Sequence, residues 1–132
     1  MHSTNHFSTL ILPAEDCRAR AQRPERPGTV AALQFALIAG APYRYTSDEL
    51  IGTVEAQRAG VPPEATAAFI AEYFSRGRPC LRASPLTRTH GWAVHADAAG
   101  RVALLDPDSP ACATLCADPT QRKLHALRKT RA

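Results

Sequence analysis

No apolar run in this chain approaches the roughly 18 residues of a membrane-crossing helix. The opening Met1-His2-Ser3-Thr4-Asn5-His6-Phe7 has neither a basic start nor the apolar stretch of a secretory signal. A cytoplasmic protein with no membrane partner is therefore expected. Lysine is almost missing, since 14 of the 16 basic residues are arginine. Aromatic residues make up 6% of the chain and include one Trp. Alanine, with 25 residues, inflates the 45% apolar fraction, and Leu, Ile, Val and Phe together number only 25. These numbers exclude a large core, but a charged content of 21% is too low for a disordered chain. The 132 residues suit a single domain over 1–132.

Several chemical signatures are missing too. There is no GxxxxGK[ST] phosphate loop and no GxGxxG turn. Ser84 stands in Ala83-Ser84-Pro85 rather than in a GxSxG elbow, which removes the usual hydrolase reading. Cys17, Cys80, Cys112 and Cys116 contain no CxxC pair, and only Cys112 and Cys116 are one helical turn apart. Zinc needs a denser ligand set, so no metal and no cofactor are expected, and the cysteines read as reduced thiols.

What is present is local punctuation. His6 to Leu12 is rich in β-formers and Pro13 ends it, so an early strand is predicted. Residues 13–28 mix charges with Pro24, Pro27 and Gly28 and read as an exposed loop. Thr29 caps a predicted helix from Val30 to Ala39, apolar nearly all round, with Gln34 its one polar residue. Thr46 and Glu49 stand in capping-box spacing before a helix that ends at Gly60. A further helix restarts at Pro62 and closes at Gly77. Gly91 to Ala96 and Arg101 to Leu105 flank an Asp97–Gly100 turn and predict a hairpin. A short helix is predicted through Cys116, and a basic helix from Thr120 to Lys129 with Leu124 and Leu127 on one face. The fold class expected is α+β: a small antiparallel sheet, made of the early strand and the C-terminal hairpin, packed on four to five helices. The expected core is Leu10, Leu33, Leu37, Phe69, Phe74, Trp92 and Val102.

Five blocks stand out together: His2-Ser3-Thr4-Asn5, Thr29-Val30-Ala31-Ala32-Leu33-Gln34, Pro42-Tyr43-Arg44-Tyr45-Thr46-Ser47-Asp48, Pro79-Cys80-Leu81-Arg82-Ala83-Ser84-Pro85-Leu86 and Gly91-Trp92-Ala93-Val94-His95. They resemble the signature blocks of a family of small bacterial proteins of unknown function, over nearly the whole chain. The resemblance implies a bacterial single-domain protein and assigns no activity to any residue. It also implies an aromatic residue at the position of His90 in many members, which argues against His90 as an essential catalyst. Residues 13–28 are where such a family is expected to vary.

The segment from Tyr73 to Ala96 carries Arg76, Arg78, Arg82, Arg88, His90 and His95 without one Asp or Glu. A guanidinium fork binds carboxylate or phosphate through two parallel hydrogen bonds. Arg82, Ser84 and Arg88 are therefore the candidate ligand-binding residues for a small anion, with His2 and Asn5 joining them if the N-terminus lies alongside. The competing reading is that Arg82 pairs with Asp48 or Glu49 and only fixes the loop. Alternation along the hairpin strand puts His95 on the face opposite Trp92 and Val94, pointing outward or into a cleft beside the loop, where it is the candidate general acid or base of a small enzyme. A third reading is a winged-helix-like DNA-binding module using the tail residues Arg122, Lys123, Arg128, Lys129 and Arg131. The second helix of its pair presents Glu64, Ala67, Ala68, Ala71 and Glu72, a poor set for reading bases, so a nucleic-acid partner ranks last.

Overall fold

The computed structural model describes residues 2–129. The elements run β1 (Thr9–Leu12), α1 (Val30–Gly40), α2 (Ser47–Arg58), α3 (Thr66–Tyr73), α4 (Pro85–Arg88), β2 (Ala93–Ala96), β3 (Val102–Leu105), α5 (Pro110–Ala117) and β4 (Arg122–His125). Single 3-10 turns lie at Pro63–Ala65 and Leu81–Ala83.

The helix starts follow from local side-chain chemistry. Thr29 accepts a hydrogen bond from the Ala32 N–H at the start of α1. At α2 the Thr46 hydroxyl accepts from the Glu49 N–H at 3.2 Å, and the Glu49 carboxylate accepts from the Thr46 N–H at 3.0 Å. Two orphan donors are thereby satisfied reciprocally. Thr46→Ala is expected to cost about 1 kcal/mol, read as a lowered urea midpoint at unchanged m-value.

The sheet has the order β3-β2-β1-β4. β1 pairs antiparallel with β2, and β2 with β3, as expected of an early strand joined to a hairpin. The fourth strand is a correction. The basic helix expected from Thr120 to Lys129 is instead β4, which lies parallel to β1 with Thr9 opposite Arg122 and Leu12 opposite His125. The sheet is therefore mixed. Asp118 forms an Asx turn, accepting from the Thr120 N–H at 2.9 Å, and the chain then meets the open edge of β1. A ladder of backbone hydrogen bonds outweighs the weak helical preference of a stretch whose Leu127 stays 45% exposed.

The two faces of the sheet are covered unequally. Ile11, Val94, Ala96 and Val102 join Ile38, Leu50, Phe74, Leu81 and Leu86 in the main core. Leu10 and Ala93 point to the other face and meet Cys112 of α5 in a smaller cluster. Of the expected core, Leu10, Phe74 and Val102 are buried, and Leu37 and Trp92 are partly buried against the main cluster. Leu33 and Phe69 keep intermediate exposure. No helix among the described residues is long and apolar enough to cross a membrane.

Candidate functional site

The N-terminal segment is tied down as a strap. The His2 N–H donates to the Phe74 carbonyl at 2.8 Å, and its ring Nε2 meets the Arg78 carbonyl at 3.2 Å. Asp48, 7% exposed at the start of α2, accepts from the Thr4 N–H and the Thr4 hydroxyl, each at 2.7 Å, and from the Ser3 hydroxyl at 2.8 Å. Asn5 Oδ1 accepts from the Asp48 N–H at 2.9 Å. The hydrogen bonds of the His2 backbone and ring and of the Asn5 side-chain oxygen hold the strap to Phe74, Arg78 and Asp48, and none of the hollows described below is lined by His2 or Asn5.

The arginines of the 76–88 segment are dispersed. Arg78 lies over the Tyr73 ring, 3.9 Å from its centroid, and donates through Nε to the Tyr73 carbonyl. Arg82 Nε donates to the His125 carbonyl at 2.7 Å. Arg88 donates through Nε to the Leu127 carbonyl and through a terminal nitrogen to the Arg128 carbonyl. Arg82 does not pair with Asp48 or Glu49; it and Arg88 clasp the backbone that follows β4. Ser84 is buried, caps α4 by accepting from the Leu86 N–H, and donates to Gln34 Oε1 at 2.5 Å. That bond answers why α1 buries its one polar residue: Gln34 and Ser84 satisfy each other in the core.

His95 is 8% exposed and lies on the sheet face of Leu10, away from the 79–90 segment. Its Nδ1 meets the Tyr43 hydroxyl and its Nε2 meets Gln121 Oε1, both at 2.9 Å. Gln121 Oε1 can only accept, so with this amide orientation Nε2 carries the proton and Tyr43 donates to Nδ1. Tyr43 is held at φ 59°, a left-handed conformation that a tyrosine adopts at a cost. Burial, with the Asp97 charge nearby, raises the Tyr43 phenol above its ordinary range. The structure therefore brings His95 to Tyr43 and Gln121, and not to Arg82, Ser84 or Arg88.

Among the hollows formed by the described residues, three are lined by charged or polar side chains. The first, about 370 Å³, lies between the 22–26 stretch of the loop, the start of α1, and Pro85 and His90. Its walls include Pro24, Val30 and Ala31, with Arg23, Glu25 and Arg26 on the loop side. Arg23 stacks over the Phe35 ring at 5.3 Å. None of these three charged residues is in an ion pair with a described residue, which leaves two guanidiniums against one carboxylate. His90 Nδ1 is buried without a partner, so Nε2 is the ring atom left to make a hydrogen bond. The second, about 150 Å³, shares Val30 and Pro85 with the first and adds Gln34, Glu55, Tyr73, Cys80 and Ser84. The third, about 420 Å³, is lined by Glu15, Cys17, Arg20 and His125. Its charges are already matched: Arg20 to Asp108 at 2.8 Å and Glu15 to Arg128 at 3.7 Å, while the His125 ring meets the Pro13 carbonyl.

Ser84, expected from the sequence beside Arg82 and Arg88, lines the second hollow without either of them, and Arg23 and Arg26, which border the first, stand in the loop read from the sequence only as exposed. Their one signal was a pair of arginines three residues apart just before the Thr29 cap. Among the cysteines, burial and the neighbouring Cys116 push the Cys112 thiol up to about 11, so it stays protonated and inert at neutral pH.

No curated protein and no solved structure shows significant similarity to this sequence. The profile of one protein family does match, across residues 1–132. This chain therefore belongs to that family, a family of unknown function designated DUF6157.

Proposed function

We propose that this protein binds a small organic acid with an apolar body in the hollow between residues 22–26, α1 and Pro85. One observation carries the reading: mostly apolar walls with Arg23 and Arg26 at their edge, neither committed to a carboxylate among the described residues. Apolar walls with a few convergent polar groups are the ordinary design of a small-molecule site. The apolar body packs on Pro24, Val30, Ala31 and Pro85. The acid group meets the two guanidiniums, and His90 Nε2 adds one hydrogen bond. Ser84, buried behind Pro85 and bonded to Gln34, supports this wall and is not a direct contact. Arg82 and Arg88 hold the adjoining segment against the C-terminal backbone.

The test is a thermal-shift panel of small aliphatic and aromatic acids beside their neutral amides. A ligand held only by the native state at 100 times its Kd stabilises by about 2.7 kcal/mol. Acids are expected to raise Tm and amides are not. The double variant Arg23→Ala, Arg26→Ala should lose the shift with its unliganded Tm nearly unchanged, since both side chains are exposed. Equal shifts from acids and amides, or a shift that survives in the double variant, would sink the proposal.

A second reading, a small acid–base enzyme, rests on the strained Tyr43 that donates to His95 Nδ1. Residues in costly backbone conformations cluster at active sites. Against it, none of the three hollows includes Tyr43 or His95.

A further inference from the structure

We propose that the acid taken by the hollow at Arg23 and Arg26 carries a hydroxyl at its far end, received in the second hollow by Gln34 of α1 and Glu55 of α2. Resting on the acid-binding reading, this narrows the ligand to a hydroxy acid that lies along α1.

Two helices build the second hollow in the same way. Val30 and Gln34 stand four residues apart on one face of α1, and Ile51 and Glu55 do so on α2. Each pair sets an apolar side chain beside a polar one. Val30 and Pro85 line both hollows, so the two adjoin there. Gln34 lies about 6 Å beyond Val30 along the helix axis, one turn on. Its side chain is only 5% exposed, and Ser84 fixes the direction of its amide. The Ser84 oxygen already accepts from the Leu86 N–H at 3.1 Å, so its hydrogen needs an acceptor, and Gln34 Oε1 supplies it at 2.5 Å. The other end of the amide is therefore the NH2 group, which has no hydrogen bond to a described residue. Nor is that group sealed off. Among the described residues, the fully buried side-chain nitrogens and oxygens without a partner are His6 Nε2 and His90 Nδ1. The Gln34 NH2 opens onto the hollow that Gln34 lines.

These groups select the far end of the ligand. Gln34 offers a donor and Glu55 an acceptor. Arg58 reaches the Glu55 carboxylate only through long bonds of 3.3 Å, so lone pairs remain for another donor. A second carboxylate on the ligand would face Glu55 and be repelled. An ammonium group would leave the Gln34 NH2 without an acceptor. A hydroxyl accepts from one and donates to the other through a single oxygen, which suits a hollow of about 150 Å³. The ligand body between the two ends rests on Val30 and Pro85. Water alone would also satisfy Gln34, but it would give no preference for a hydroxy acid over the same acid without the hydroxyl.

Hydrocinnamate and its para-hydroxy derivative are titrated into the full-length chain by calorimetry. In parallel, iodoacetamide labelling of Cys80 is read by peptide mass spectrometry. Cys80 is partly exposed and lines the second hollow but not the first, so it reports on the far end alone. The hydroxy acid is expected to bind about tenfold tighter, since it adds a hydrogen bond to a carboxylate. It alone should protect Cys80, while Cys17, which lines neither of these two hollows, labels at an unchanged rate. In Gln34→Met the preference should vanish and hydrocinnamate should bind as before. That variant strands the Ser84 hydroxyl, so if it does not fold, protection of Cys80 in the unaltered protein decides. Equal affinities with Cys80 unprotected would leave the acid reading standing and overturn this one. A preference that survives in Gln34→Met would also overturn it. Binding of neither acid would overturn both.

Discussion

Replacing Asp48 by alanine is expected to destabilise the protein by about 3–5 kcal/mol, far more than a typical single substitution. The carboxylate accepts from the Thr4 N–H, the Thr4 hydroxyl and the Ser3 hydroxyl, and it sits at 7% exposure. Removing it strands the Thr4 amide, because Thr4 itself is only 4% exposed. An unsatisfied buried donor costs its full desolvation penalty, not merely the net value of one hydrogen bond. The Thr4 hydroxyl keeps a partner in Ser47 at 2.8 Å, which limits the loss. Asp48→Asn should be intermediate: its volume is right, but its NH2 group faces donors. Urea unfolding followed by Trp92 fluorescence measures both variants. A loss under about 1 kcal/mol for Asp48→Ala would show that the strap is a surface attachment and not part of the cooperative fold.

Gly91→Ala is expected to lower Tm by roughly 10 °C or more and to disrupt the proposed acid-binding hollow. Gly91 has φ 74°, and a Cβ there would lie 1.8 Å from the Ala19 carbonyl oxygen and 2.4 Å from its carbon. Those are backbone atoms, so no rotamer change relieves the clash. The segment at Ala19 and Arg20 would have to move. It leads directly into Ala21, whose N–H donates to the Gly91 carbonyl, and Gln22, whose N–H donates to the His90 carbonyl. The Trp92 indole N–H donates to the Gln22 carbonyl at 2.9 Å. All three bonds hold the loop that presents Arg23 and Arg26, so acid binding should fall together with stability and Trp92 emission should shift. Gly77→Ala is the control, with nothing within 4 Å of the added methyl group. Equal effects from the two substitutions would refute the contact argument.

The helix starts were legible because their causes are near neighbours. Thr46 and Glu49 are three residues apart, and the Thr29 cap acts on Ala32. The hairpin turn was legible for the same reason, since Asp97 accepts from the Ala99 and Arg101 amides. β4 was not, because nothing within Arg122–His125 announces that β1 offers an unpaired edge 113 residues earlier, as Thr9 lies opposite Arg122. The arginine cluster shows the same limit. The absence of acids between Tyr73 and Ala96 is plain in the sequence, but carbonyls compete for guanidinium groups and every residue carries one. Arg82 found such a partner 43 residues away and Arg88 found two, 39 and 40 residues away.

Read alone, the 132 residues determine a small alanine-rich α+β chain, most of its helix boundaries, a C-terminal hairpin and a cationic segment without counter-charges. These follow from capping, turn chemistry and periodicity, which act over a few residues. Only the tertiary structure decided that the last basic stretch is a strand and that Asp48 is the anchor of the N-terminal strap. It also decided that Arg23 and Arg26, not Arg82 and Arg88, border an apolar hollow. Those outcomes depend on which backbone and side-chain groups remain unsatisfied once distant segments pack, and burial enforces that condition across the whole chain.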